Sequence, residues 1–374
     1  MSEKTFDGIL ELIGKKNFGF IRTFAPDMPK GDADPFVSPQ ILKKWNLRDG
    51  VIMTGELRQG RKGDMQVSHV STIMGMPPQD WVKVTKFDSG QTIFPEEKLN
   101  LVTNYRDFTM RVVDLAAPIG KGQRALIVAP PRAGKTYILK GMADAITLNH
   151  PEIELVALLV DERPEEVTDI KRTTKATVFA SSNDREDDNH VRCATLALAY
   201  AKRQVELGKD VVILLDSLTR LGRTFNMYMG GSGRTMSGGL DANSLKIPRQ
   251  IFGSARNIEG GGSLTIVATA LIDTGSRMDE VIYQEFKGTG NAEIVLDREM
   301  ANKRIYPAIN LRKTGTRNEE LLIGKDRIEQ HQRLFRVLNS RGPIDAMQAL
   351  IRHVQTSKTN EALLDDLIPA GMED

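Results

Sequence analysis

The chain has 374 residues, room for two or three domains at about 100–200 residues each. Its 40 % hydrophobic and 27 % charged content is that of a globular protein with a full core, and a net charge of only +2 excludes a molecule that is basic all over, so any nucleic-acid contact has to come from local patches. One cysteine and five histidines exclude a disulfide framework and a histidine–cysteine metal cluster. Cys193 falls in an apolar helical pattern and reads as a core thiol. No run approaches the roughly 20 apolar residues of a membrane span and the mixed N-terminus is not a signal, so a cytoplasmic protein without a membrane partner is expected.

Residues 1–75 are expected to form a small β domain, from the runs GILELI, FGFIRTF, GVIMTGEL and MQVSHVSTI separated by Gly, Asp, Pro and Lys. A five-stranded barrel of the OB or cold-shock type fits that size. Lys15, Lys16, Asn17, Phe18, Gly19, Phe20, Ile21 and Arg22 are the informative stretch. At a period of two, Phe18, Phe20 and Arg22 share one strand face and Ile21 points the other way. Two rings and a guanidinium beside two lysines make a platform for stacked bases. Asp34, Pro35 and Phe36 offer a third ring, and Asp64, Met65 and Gln66, after Gly63, close the pocket. The alternative is that Phe18 and Phe20 are barrel core.

Residues 76–120 read as a connector, opened by Met76-Pro77-Pro78 as a semi-rigid extended segment and broken again at Pro95 and Pro118. Short strands are expected at WVKV and MRVVDL.

From residue 121 the pattern alternates strand and helix, the signature of an α/β parallel sheet. Strands are expected at 124–129, 153–160, 176–181, 211–216 and 264–270, helices at 134–148, 164–174, 188–207, 217–228 and 242–255, and further helices from about 319. Within this region GQRALIVAPPRAGKT, residues 122–136, has the strand–loop–helix context of a phosphate-binding loop. Backbone N–H groups and the helix dipole attract the anion, Gly134 allows close approach, Lys135 supplies charge and the Thr136 hydroxyl can ligate Mg²⁺. Ala129 stands where the usual pattern has its first glycine, and Pro130-Pro131 remove two N–H donors and stiffen the loop. The alternative is an incidental Gly-Lys-Thr after a strand.

The apolar strand ending at Val160 delivers Asp161, Glu162 and Arg163 to the edge where ligands bind in parallel sheets. Glu162 is the candidate for orienting or deprotonating the attacking water, and Arg163 for pairing with it or touching phosphate. Glu165 and Glu166 read as first-turn acids of a helix opened by Pro164. Val211–Leu215 then Asp216 is the second nucleotide signature, the carboxylate that holds the magnesium water shell. Two glycine-rich stretches, Gly230 to Gly239 with Arg234 and Leu271 to Arg277, each carry a single arginine and suit a sugar-phosphate backbone, with ordinary surface loops as the alternative. Tyr306 offers a ring for adenine, and Arg317 sits on a turn where it matters only as an arginine finger for a neighbouring subunit.

On the strings VAPPRAGKT, VDERPEEVTDIKR, ILLDSLTRLGR, GSARNIEGGGSLTIVATALIDTGSRMDEVIYQEFKGTGN and RIYPAI…KTGTRNEELL, the chain resembles the Rho family of transcription termination factors from about Phe6 to its C-terminal helices. The resemblance implies an α/β fold with a RecA-like P-loop NTPase core at 121–374 and an N-terminal OB-fold, cold-shock-like barrel at 1–75. It implies ATP and Mg²⁺, a homohexameric ring, single-stranded pyrimidine-rich RNA threaded through a pore, and RNA polymerase with transcription elongation factors as partners. Residue by residue it implies a primary RNA site at Asn17, Phe18, Gly19, Phe20, Ile21, Arg22, Asp34, Pro35, Phe36, Asp64, Met65 and Gln66. A secondary site falls on Arg234, Thr235, Met236, Ser237, Gly238, Gly239 and Arg277. The nucleotide site falls on Gly120, Lys121, Gly122, Gln123, Arg124, Ala125, Arg132, Ala133, Gly134, Lys135, Thr136, Tyr137, Arg163 and Tyr306, with Glu162 as catalytic carboxylate, Asp216 on magnesium and Arg317 as finger. Arg132 and Arg234 stand where the family commonly has lysine, which keeps charge and alters geometry. The family usually carries a small helical domain ahead of the barrel; this chain starts almost at the barrel, so RNA contacts from such a domain are expected to be absent. Two rivals share parts of the pattern: a rotary ATP synthase catalytic subunit, whose phosphate loop would be richer in glycine, and an RNA-binding ring protein that keeps ATP as a structural ligand.

Overall fold

The computed structural model describes residues 4–14, 17–31, 33–60, 63–229, 237–241 and 243–366. The N-terminal strands β1 (Lys4–Leu12), β2 (Gly19–Arg22), β3 (Phe36–Val37), β4 (Ile52–Gln59) and β5 (Met65–Ile73) close a barrel in the order β1-β2-β3-β5-β4. Alternation decides the faces: Phe6, Leu10, Ile21, Val37, Met53, Val67 and Val70 fill the interior, while Phe18, Phe20 and Phe36 are half-buried outside it. The core alternative for those rings therefore does not hold.

The second body is a mixed sheet built from β6 (Thr92–Ile93), β7 (Arg124–Ala129), β8 (Glu154–Glu162), β9 (Thr177–Ser182), β10 (Val211–Asp216), β11 (Arg256–Ile258), β12 (Ser263–Leu271), β13 (Ala292–Val295) and β14 (Gly315–Thr316). Its main path runs β14-β13-β7-β12-β10-β8-β9, with the six strands from β13 to β9 mutually parallel and β14 antiparallel at the edge. Strands buried on both faces read as unbroken apolar runs, and β7 divides its residues by parity. Ala125, Ile127 and Ala129 pack with the helices Lys135–Asn149, Phe108–Ala116 and Pro343–Thr356, and Leu126 and Val128 with the helices Asp187–Glu206 and Leu218–Tyr228 on the other face.

The connector is less separate than its prolines imply. WVKV is no strand: Trp81 ends the short helix Pro78–Trp81 and is fully buried in the barrel core. MRVVDL is no strand either, because it lies in the helix Phe108–Ala116, capped by Asp107. Arg111 on that helix is fully buried and donates to the Val354 carbonyl at 2.6 Å, the Ser357 carbonyl at 2.7 Å and Asn360 Oδ1 at 3.1 Å, which ties it to the C-terminal helices. Thr92–Ile93 pairs with β11, so the connector is stitched into the large sheet.

Candidate nucleotide and RNA sites

The loop after β7 turns through Gly134, whose φ of +103° lies in the left-handed region that a side chain would strain. The helix Lys135–Asn149 begins at the next residue, so its unpaired N–H groups face the loop. Lys135 Nζ donates to Asp216 Oδ1 at 2.5 Å and lies 3.7 Å from Glu162 Oε1. The Thr269 hydroxyl donates to the same Asp216 oxygen at 2.7 Å, which orients that carboxylate. Glu162 is 1 % exposed, and neither of its oxygens has a hydrogen-bond partner. Burial first, and the Asp216 charge second, push its carboxyl up to about 7, against the pull of Lys135 and Arg220. Arg220 reaches Glu162 Oε2 at 3.4 Å and donates to the Asp161 carbonyl. A lysine, a hydroxyl and two convergent carboxylates at strand ends suit a triphosphate with magnesium, since that ion takes one or two carboxylates and keeps most of its other ligands as water and phosphate. Thr136 and Asp216 are the residues that would hold it. Beside the loop, Arg132, Gly134, Tyr137, Tyr306 and Pro307 line a cavity of about 490 Å³, in which Tyr137 and Tyr306 are exposed rings.

On the barrel, the Phe18, Phe20 and Phe36 rings form a triangle with centroids 5.5 to 5.9 Å apart. Phe36 pairs with Gln66 across β3 and β5, and Gln66 donates to Asp64 at 2.9 Å, which brings Asp64 to Gln66 beside the rings.

Residues 109–314 match the model of the ATP synthase alpha/beta family, nucleotide-binding domain, and residues 6–79 match that of the Rho termination factor, RNA-binding domain. Curated proteins named transcription termination factor Rho, from Cereibacter sphaeroides and Pseudomonas aeruginosa, are 47 % and 46 % identical to it over 96 % of this chain and 86 % and 87 % of their own length. The chain belongs to the Rho family of transcription termination factors. Among solved structures, an ATPase of a bacterial type III secretion system is similar in fold at 19 % identity, with a TM-score of 0.61 over 74 % of this chain and 85 % of that one. The chain thus joins a P-loop NTPase core to an OB-type barrel.

Set against the site residues that the Rho resemblance implies, the structure separates one group within the chain. Gly120, Lys121, Gly122, Gln123, Arg124 and Ala125 lie at the amino end of β7, away from the phosphate loop at its carboxyl end. Their polar groups are spent locally: Lys121 on Glu97 and Asp210, the Gly122 N–H on Thr265, and Gln123 on Asn291. Arg317 lies at this same end, its N–H bonded to the Asn291 carbonyl at 2.8 Å and its side chain exposed.

Arg22 also differs from expectation. It is 5 % exposed, bonded to Glu11 Oε2 at 2.5 Å and to Asp34, so it braces the ring platform from within. In sequence Glu11 is an acid in a largely apolar run, with nothing local to mark it as a partner of Arg22. Arg163 is exposed at the start of the helix Pro164–Thr173, which has Glu165 and Glu166 in its first turn. Ala133 is buried beneath the loop. Ser237 to Gly239 pack against the start of the helix Arg277–Lys287, where a Cβ on Gly238 would come 3.0 Å from the Met278 backbone. The described end of the first glycine-rich stretch, Ser237 to Gly239, is therefore a neighbour of the second. Arg234, Thr235 and Met236, like Lys15 and Lys16, lie outside the described residues.

Proposed function

We propose that this Rho-family chain is an RNA-dependent ATPase and RNA translocase that captures single-stranded RNA on the barrel and terminates transcription. The observation that carries the reading is one chain holding both a half-buried phenylalanine triangle on the outside of the barrel and a Lys135–Asp216–Glu162 cluster at a phosphate loop. Mg²⁺, when bound, would supply charge neutralisation for the triphosphate. Lys135 would move from Asp216 onto phosphate, Asp216 and Thr136 would hold the ion, and the Tyr306 ring would stack on adenine. Ionised Glu162 orients the water and draws its proton. A protein that kept ATP only as a structural ligand would have no use for a carboxylate poised near neutrality.

The ring reading rests on β7. Arg317 is fixed at the amino end of that strand and Gly134 lies beyond its carboxyl end, with the strand's six residues, roughly 20 Å, between the two ends. An arginine so placed serves a phosphate loop only in another copy, which supports hydrolysis between subunits of a homohexamer. Ser237, Gly238, Gly239 and Arg277 form the pore contacts. RNA polymerase and transcription elongation factors are the partners of the assembled ring in the cytoplasm; among the described residues no helix is long and apolar enough to cross a membrane. The test is ATP turnover with and without pyrimidine-rich RNA, together with particle mass. Equal rates would reject RNA coupling, and a monomer that hydrolyses ATP would reject the shared site.

A further inference from the structure

The segment that carries the RNA platform is one of the places where the barrel is fastened to the ATPase core, the Arg48–Glu206 pair being another. Between β2 and β3 the Phe24 ring packs on Phe179 and Tyr200, with centroids 6.0 and 5.7 Å apart. The Ala180 N–H donates to the Pro26 carbonyl at 2.8 Å, and Met28 is fully buried in the core beneath the helix Asp187–Glu206. At its centre lies a row of four alternating charges. Arg192 of that helix pairs with Glu11 Oε1 at 2.7 Å and donates to the Met28 carbonyl. Glu11 Oε2 takes the Arg22 Nε–H at 2.5 Å, and Arg22 in turn binds Asp34, two residues before Phe36. The four side chains are only 6 to 12 % exposed.

We infer that Arg192, a residue of the ATPase core, is a positioning residue for RNA capture: by holding Glu11 and Met28 it sets Arg22 and Asp34, and through them the spacing of Phe20 and Phe36. The inference rests on reading the phenylalanine triangle as the RNA site. The physics is charge balance in a place with little water. With Arg192 present, two guanidiniums and two carboxylates cancel. Without it, Glu11 keeps one cationic partner for two oxygens and draws Arg22 away from Asp34. Asp34 also accepts the Gly31 N–H at 2.7 Å, so losing Arg22 loosens the turn that presents Pro35 and Phe36. Arg22 lies 5.0 Å from the Phe20 ring centroid, so its shift moves that ring as well.

The experiment compares Arg192→Gln, Arg192→Lys and Phe20→Ala in the full chain, using a fluorescent oligocytidylate for binding and RNA-activated ATP turnover for rate. For Arg192→Gln, the dissociation constant and the RNA concentration giving half-maximal activation both rise about tenfold or more, while the rate at saturating RNA stays within about twofold. Arg192→Lys keeps the charge but cannot fork between Glu11 and Met28, and shifts binding by a smaller factor. Should Arg192→Gln fail to fold, Arg192→Lys decides alone, with unchanged binding overturning the inference. Equal loss of maximal rate and binding in Arg192→Gln, with no recovery in Arg192→Lys, overturns it too. If Phe20→Ala binds RNA like the parent, the RNA-site reading itself fails; if Phe20→Ala is weakened and Arg192→Gln is not, only the role of Arg192 falls.

Discussion

The charged cluster at the phosphate loop and the one beneath the phenylalanine platform use the same kinds of side chain to opposite ends. At the loop, Lys135 leans on Asp216 while both Glu162 oxygens stay buried without a hydrogen bond. Under the platform, Glu11 is held between two guanidiniums and Arg22 between two carboxylates. Unspent bonding capacity is costly in a folded chain, because a buried charge without partners gives up its hydration for nothing. Where it persists, a ligand completes it; where it is used up, the charges serve shape and leave the contact to neighbouring rings.

The hardest test of that contrast is Lys135→Ala, which is expected to take ATP turnover below detection while leaving RNA capture near normal. Arg317→Ala comes next: on the proposed finger role, turnover should fall about 10³- to 10⁵-fold with little loss of nucleotide binding. Glu162→Gln should cost about 10² to 10⁴ in rate, the range of a positioned acid–base group. The Glu162 carboxyl is raised to about 7, so the parent's kcat/KM should climb as pH passes through about 7, and this limb should be absent from the residual rate of Glu162→Gln. The same shift has a sign for stability. Folding favours the protonated group, so its contribution is complete below the ordinary glutamate value of 4.5 and is lost as pH rises through about 7. At pH 8 Glu162→Gln should therefore melt above the parent when nucleotide is absent. Phe20→Ala should weaken RNA binding by about 1–3 kcal/mol and leave RNA-saturated turnover unchanged. The smallest effect belongs to the Lys30–Asp188 pair, more than half exposed on both sides; Lys30→Ala should change stability by about 1 kcal/mol or less, in contrast to the buried Arg192–Glu11 pair beside it.

Legibility in the sequence followed locality. The phosphate loop, the strands ending in Glu162 and Asp216, and the Phe18–Phe20 alternation are each contained in a few residues, and the barrel and parallel sheet follow from their periods. What escaped was set by distant partners. Arg22 reads as a free cation until Glu11, 11 residues away, is folded against it and is itself held by Arg192 of the other domain. Phe108–Ala116 carries a β-rich string that becomes helix because Arg111 finds the Val354 and Ser357 carbonyls and Asn360. Strands as short as Phe36–Val37 and Gly315–Thr316 have no period of their own. Gly120 to Ala125 stand near the phosphate loop in number, yet a strand of six residues carries them to the far edge of the sheet.

That same strand has a genetic consequence. If, as proposed, Arg317 at one end of β7 completes the phosphate loop of a neighbouring copy, each copy would lend a group to its neighbour while borrowing one in return. A cell making intact and Arg317→Ala chains together would assemble mixed particles in which healthy loops face crippled neighbours. The defect would be dominant, spreading by assembly to copies whose own sequence is sound.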